Sequence, residues 1–261
     1  RSNNKLVGWL SIEIGDTLAE IGRWHPYVDP TSNEGEIASK LIEQSIDYVK
    51  KQGQARLEIT FSGLTEETEG IYKKYKAWYE SQNVKIMMEE IFMRSDLSEV
   101  EFPSVKLPTD FKVKSITETD EEEYYECYYE AFKAGKDRLF LDQTEKQRRE
   151  YFNEYYDRSR SFNEEASIVL MKNNRICGFS FVRPRGEEGH LALIGIHPDF
   201  QRKNLGKALL YLIMKRLAQQ GLKTISLGVD PVNKPAYNLY RSLGFKIISR
   251  SVTHVWKSVN A

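Results

Sequence analysis

Apolar residues along this chain fall into two patterns. Short runs of strand character cover Lys5 to Glu13, Phe111 to Ile116, Arg175 to Arg183, His190 to Ile196 and Thr224 to Val229. Helical spacing appears in Leu205, Leu209, Leu210, Ile213 and Leu217, and again in Tyr124, Tyr125, Tyr128, Ala131 and Phe132. Thr119 and Glu122 have capping-box spacing ahead of the second of these helices. A short helix is expected from Ala236 to Leu243, closed by Gly244 and Phe245. Between Ser95 and Pro108 two prolines interrupt any steady period, so the linker is placed at 98–109.

The strand from Lys5 has the same pattern as the strand from Arg175, and the likeness continues. Gly8 pairs with Gly178 at an offset of 170, and Pro30 with Pro198, Ala38 with Gly206 and Leu57 with Ile225 at 168. Tyr79 pairs with Tyr240 at 161, a loop-sized change. The chain therefore reads as two tandem copies of one α/β unit, residues 1–97 and 110–261. About 66 residues separate Lys112 from Gly178 and only seven precede Gly8, so the first copy is expected to lack a strand and two helices at its front.

The copies diverge at one turn. In the second, the strand through Ile194, Gly195 and Ile196 runs into Gln201, Arg202, Lys203, Asn204, Leu205, Gly206 and Lys207, where a helix starts. The first amides of a helix have no internal partner and carry the positive end of the dipole, so this turn can cradle a pyrophosphate. Gly206 permits close approach, Asn204 tolerates a left-handed backbone, and three cations add charge. The first copy has Asn33, Glu34, Gly35, Glu36, Ile37, Ala38 and Ser39 at the matching place, with Glu36 for Asn204 and Pro26 opposite Ile194. Two carboxylates repel a diphosphate, so that copy is read as degenerate and Tyr79 as structural. An ordinary strand, solvated basic turn and helix would also account for the second-copy turn taken alone.

The order of strand, Gln201-x-x-Asn204-x-Gly206-Lys207-Ala208 helix, strand, Asn233, Tyr240 and Gly244-Phe245 resembles the GNAT superfamily of acetyl-CoA-dependent N-acetyltransferases. Asn204 departs from it, standing where the family has Gly. The resemblance implies two tandem GNAT-like units, each a mixed, mostly antiparallel central sheet flanked by helices, with the catalytic one at 110–261. It implies acetyl-CoA as cosubstrate with no metal, and pantetheine held by the backbone of Ile194 and Ile196. It gives Tyr240 the role of acid toward the leaving thiolate and puts His190 where some members carry a catalytic Glu. A water chain is the alternative base, and Glu187 and Glu188 on the preceding hairpin read as solvated. His197, beside Pro198, is expected to be exposed. The tandem arrangement is similar to that of mycothiol synthases. The rings of Phe140, Tyr151, Phe152, Tyr155 and Tyr156 either line an acceptor pocket or pack helices on the sheet.

Composition narrows the partners. Lys and Arg number 38, as do Asp and Glu, so no global field favours nucleic acid or an anionic membrane. Cys127 and Cys177 have neither metal spacing nor a disulfide pattern, and no apolar run reaches the length of a membrane span. The expected protein is a cytoplasmic monomer or homodimer acting on a small-molecule or peptide amine. A non-catalytic acyl-CoA-binding or scaffold protein is the alternative. A nucleotide-phosphate enzyme fits poorly, because no Gly-Lys-Ser/Thr follows the turn.

Overall fold

The computed structural model describes residues 5–15, 18–21, 25–102, 107–135 and 137–258. Residues 103–106 of the expected linker lie outside that set. The chain divides into two compact units, residues 1–90 with 249–261, and residues 91–248.

The first unit contains β1 (Gly8–Trp9), β2 (Glu13–Ile14), β3 (Ala19–Ile21), β4 (Tyr27–Val28), α1 (Glu34–Lys51), β5 (Arg56–Leu64) and α2 (Glu69–Ser81). Next comes β6 (Lys85–Asp96), whose end from Ile91 belongs to the second unit. The second unit continues with β7 (Phe111–Ser115), α3 (Glu121–Gly135), α4 (Arg138–Asp142), α5 (Glu145–Tyr156), β8 (Ile168–Lys172), β9 (Arg175–Arg185) and β10 (Glu188–Ile196). It is completed by α6 (Leu205–Gln219), β11 (Thr224–Val229), α7 (Lys234–Ser242) and the start of β12 (Lys246–Lys257).

Both units are mixed sheets flanked by helices. In the second the strand order is β6-β11-β10-β9-β8-β7, and only β10 and β11 run parallel. Helix α6 connects that parallel pair, since a parallel neighbour requires a crossover. In the first unit β2, β3, β5 and β12 follow in order, with β3 and β5 parallel.

The compact units do not follow the boundaries 1–97 and 110–261. Val252, His254 and Trp256 of β12 lie opposite Phe61, Ile59 and Leu57 of β5 and so complete the first unit's sheet. The antiparallel partner of β11 is Ile91–Asp96 of β6. Position in sequence does not decide which edge a strand will join, and here each half's last strand completes the other unit.

Two cores sandwich the second unit's sheet. Leu205, Leu209, Leu210, Ile213 and Leu217 of α6 pack with Leu191, Ile225, Leu227 and Tyr240 on one face. Tyr124 and Tyr128 of α3, Phe140 of α4, and Phe152 and Tyr156 of α5 pack with Phe179, Phe181 and Leu193 on the other. These rings are core, as helix packing on a sheet requires. Cys127 and Cys177 are buried free thiols. The capping box forms between Ser115 and Glu118, one turn earlier than the spacing of Thr119 and Glu122 suggests. Helix α3 is instead capped by Asp120, whose Oδ1 accepts from the amides of Glu122 at 2.8 Å and Glu123 at 3.3 Å. Thr119 is unavailable, because its hydroxyl donates to the Ile116 carbonyl at 2.8 Å.

Candidate active site

The site begins where β10 parts from β11. Their parallel ladder joins Glu188–Leu191 to Thr224–Leu227 and goes no further. The register of β10 against β9 shifts between Leu191 and Leu193, which bends the strand. Beyond the shift, Ile194, Gly195 and Ile196 pair only with β9, leaving their other edge open toward β11. That edge offers a ladder to an extended ligand.

Faces follow from the pleat. A Cβ at Gly189 would strike Leu217 of α6, so His190, next along the strand, points toward α3. After the shift, a Cβ at Gly195 would meet Phe179 and Ala131 on the α3 side. Ile194 and Ile196 pack into the α6 core. The opening between β10 and β11 is therefore where the two faces communicate.

At the foot of β10, Gln201 donates from Nε2 to the Ile196 carbonyl at 3.0 Å, tying the strand to the turn. That carbonyl is thus already engaged by the turn. Arg202 and Asn204 both have left-handed backbones, with φ of 61° and 57°. Asn204 takes the conformation for which the family uses Gly. The first helical hydrogen bond of α6 runs from Ala208 N–H to the Asn204 carbonyl at 3.0 Å. The amides of Leu205, Gly206 and Lys207 have no acceptor among the described residues, and no side chain caps the helix. Leu205 is buried and anchors the turn, whereas Arg202, Lys203 and Lys207 are exposed around it. A Cβ on Gly206 would sit 3.6 Å from Leu239 and 3.7 Å from Ile196, so the glycine lines the crevice between α6, α7 and β10. Free amides, surrounding cations and a gap at Gly206 fit a diphosphate.

Asn233 caps α7 through Oδ1, which accepts from Ala236 N–H at 3.3 Å. Tyr240 follows on the same helix, buried against Phe245. Its hydroxyl makes no hydrogen bond to a described residue, and burial pushes its pKa up to about 12. His190 is buried and neutral, its pKa pushed down to about 4 chiefly by burial and further by Arg185. Nδ1 of His190 is 3.1 Å from the Ser226 hydroxyl.

Two expectations need correction. His197 is buried, not exposed, because Arg175 bonds its Nε2 at 2.8 Å and Phe200 packs against the ring. Glu187 is a solvated hairpin residue paired with Lys223 at 2.7 Å, but Glu188 is half-buried and accepts hydrogen bonds from Ser226, Thr224 and Arg94. Burial alone would raise the Glu188 pKa, and the bonds from Ser226 and Arg94 outweigh it, holding the carboxyl below its usual range. Ser226, Arg94 and the Arg138–Asp230 pair were not anticipated; Arg138 binds Asp230 with both arms, at 2.7 and 2.8 Å. No sequence signal links Arg94 to Glu188, 94 residues away.

Residues 117–245 match the model of the acetyltransferase (GNAT) family. The chain carries a GNAT acetyltransferase domain. It is 36% identical over 86 residues to a mycothiol acetyltransferase of Streptomyces coelicolor, covering 32% of this chain and 28% of that one. It is 37% identical over 79 residues to the [ribosomal protein bS18]-alanine N-acetyltransferase of Escherichia coli K12, covering 30% and 53%. The aligned segments thus span between about a quarter and a half of these relatives. In fold, the chain resembles a GCN5-related N-acetyltransferase from Sphaerobacter thermophilus, with a TM-score of 0.67, 15% identity, and 96% and 76% of the two chains covered. It also resembles a tandem GNAT protein from the clavulanic acid biosynthesis pathway, with a TM-score of 0.61, 14% identity, and 98% and 81% covered.

The GNAT family uses acetyl-CoA, and the cradle and open strand edge are what such a cosubstrate needs. Among the described residues no group of three His, Cys, Asp or Glu is placed to hold a metal ion, and no helix is long and apolar enough to cross a membrane. A cavity of about 870 Å³ lies elsewhere, between α3 and the 3-10 turn Pro198–Phe200, lined by Glu126, Glu130, Arg175 and His197 among others. Neither Tyr240, His190 nor Gly206 lines it.

The first unit's corresponding helix start has uncapped amides as well, but carboxylates in place of the cations and no left-handed cap. Asn33, before α1, has φ −73°, its side chain donates to Glu36 at 2.8 Å, and Glu34 is paired with Lys74. Tyr79 is fully buried, and its hydroxyl is held 2.7 Å from Nδ1 of His25.

Proposed function

We propose that the second unit transfers an acetyl group from acetyl-CoA to a primary amine by direct attack on the thioester. One observation carries the reading: the open edge of Ile194–Ile196 leads directly into a turn with three unpaired amides, so one extended, diphosphate-bearing ligand can use both. Each amide bound to a charged oxygen contributes about 1.5–3 kcal/mol. Arg202, Lys203 and Lys207 add charge, and Asn233 caps α7, the helix that carries Tyr240.

Tyr240 supplies the proton that the departing thiolate needs. Its raised pKa keeps the proton in place at neutral pH until sulfur accumulates charge. His190, approached from the α3 face, accepts the proton from the attacking amine; being neutral at pH 7, it has a lone pair to do so. Acid and base then act from opposite faces of the opening between β10 and β11. The acceptor is a small-molecule or peptide amine, in line with what the named relatives act on. The first unit, with Glu34 and Glu36 at its turn and Tyr79 tied to His25, is proposed to serve structure and not turnover.

Calorimetric titration with CoA tests the reading, followed by thiol release from acetyl-CoA in the presence of probe amines. One site per chain, with turnover lost in Tyr240→Phe, is expected. CoA binding with no turnover on any amine would move the assignment to an acyl-CoA-binding scaffold.

A further inference from the structure

A polar row crosses the second unit's sheet on its α3 face. Cα partners run from Arg183 of β9 to His190 of β10, Ser226 of β11 and Arg94 of β6, so four adjacent strands each contribute one residue at one level. Partners in register share a face of the pleat. Glu188, two residues before His190 on the same strand, shares that face and lies over Ser226.

The hydrogen bonds have one consistent direction. Ser226 donates its only hydroxyl proton to Glu188 Oε1 at 2.5 Å. Toward His190 the Ser226 oxygen can then only accept, so Nδ1 of His190 carries the proton across the 3.1 Å contact. Nε2 is left with the lone pair. It has no hydrogen-bond partner among the described residues and is not sealed off from solvent. Glu188 is fixed by Arg94 Nε at 2.5 Å and by Thr224 Oγ1 at 3.2 Å. Arg183 turns away from the imidazole and donates to the carbonyls of Tyr155, Asp157 and Ser161.

We infer that Ser226, Glu188 and Arg94 are positioning residues that hold His190 as the Nδ1–H tautomer, leaving Nε2 as the proton-accepting atom. The inference rests on the reading of His190 as base and deepens it. No proton passes through Ser226: the amine proton stays on Nε2, and Glu188 remains ionised throughout, stabilising the imidazolium. Arg94 lies on β6, before residue 98, so the second unit's site draws on a residue from the first half of the sequence.

Long-range nitrogen–proton NMR of the imidazoles in the uniformly ¹⁵N-labelled full chain tests this without a substrate. The chain has four histidines, so His190→Gln identifies the signal of interest. Nδ1 should be protonated and Nε2 bare at pH 7; Ser226→Thr should preserve that state and Ser226→Ala should mix or invert it. A wild-type Nε2–H tautomer overturns the inference whether or not the alanine variant folds, and so does a tautomer unchanged in Ser226→Ala. Thiol release from acetyl-CoA with glycinamide, spermidine and glucosamine as probe amines separates the underlying reading. Ser226→Ala and Arg94→Met should lower turnover roughly 10- to 100-fold, the scale of partners that orient a reacting group, with Arg94→Lys intermediate. If His190→Gln keeps full turnover while the spectra behave as stated, the row stands as a tautomer lock and the base assignment fails.

Discussion

Replacing Gly206 by alanine separates ligand binding from folding. The added methyl would lie 3.6 Å from Leu239 and 3.7 Å from Ile196, ordinary van der Waals distances, and Gly206 is not in the left-handed region. The unliganded protein should therefore accept it and gain the helix preference of Ala over Gly, about 0.5–1 kcal/mol. For a unit of this size that shift raises Tm by roughly 2–4 °C at most. Binding is affected differently, because the methyl fills the crevice between α6, α7 and β10 and pushes the diphosphate off the amides of Leu205, Gly206 and Lys207. Losing one such bond costs about 1.5–3 kcal/mol, roughly a 10- to 150-fold weaker Kd for CoA. Calorimetry with CoA and thermal denaturation without it give the two numbers. An affinity within twofold of wild type in a normally folded variant would refute the cradle. A fall in Tm of several degrees without ligand would instead show that Gly206 is required by packing.

Tyr240→Phe should lower turnover at least tenfold with CoA affinity within twofold, since the hydroxyl bonds to no described residue; steady-state kinetics beside calorimetry measures both. Tyr79→Phe should leave CoA affinity unchanged but destabilise the first unit by about 1–3 kcal/mol, read from urea unfolding, because His25 loses its partner in a mostly buried site. Acid should destabilise both units. Burial holds His25, His190 and His254 near pKa 4 against 6.5 in the unfolded chain, so stability is full above pH 6.5 and falls as pH drops toward 4. At pH 5 each of these three groups costs about 2 kcal/mol, and His197 of the second unit, its pKa also lowered by burial, adds to the loss there. Urea midpoints at pH 7 and pH 5 that agree would count against these buried neutral histidines.

Much of the fold was legible because its signals are local. Leu205, Leu209, Leu210, Ile213 and Leu217 name a helix and its buried face by spacing alone, and Asn204 in a basic turn before them announces the left-handed residue found there. The repeat was visible as a nearly constant offset, and so was the divergence of the first copy's turn, where Glu34 stands opposite Arg202 and Glu36 opposite Asn204. Less was legible where the chain uses long-range pairing. The period of the strand around His190 shows that it lies in a sheet, but the face it presents depends on which neighbour pairs at which register. His197 looked like a turn residue because the sequence does not show that Arg175, on another strand, closes over it.

The sequence by itself determined the helix from Leu205, the left-handed turn before it and the tandem repeat, since each depends on residues within a few positions of one another or on a repeated pattern; the strand expected from Lys5 to Glu13 forms only as Gly8–Trp9 and Glu13–Ile14. Only the tertiary structure decided that Ile91–Asp96 completes the second unit and that the chain from Ser249 completes the first. It also decided that Arg94 meets Glu188 and that Ser226 meets His190. The physical reason is that strand edges are chemically alike: backbone donors and acceptors pair with any complementary edge, and the choice among edges is made by the burial of all their side chains together.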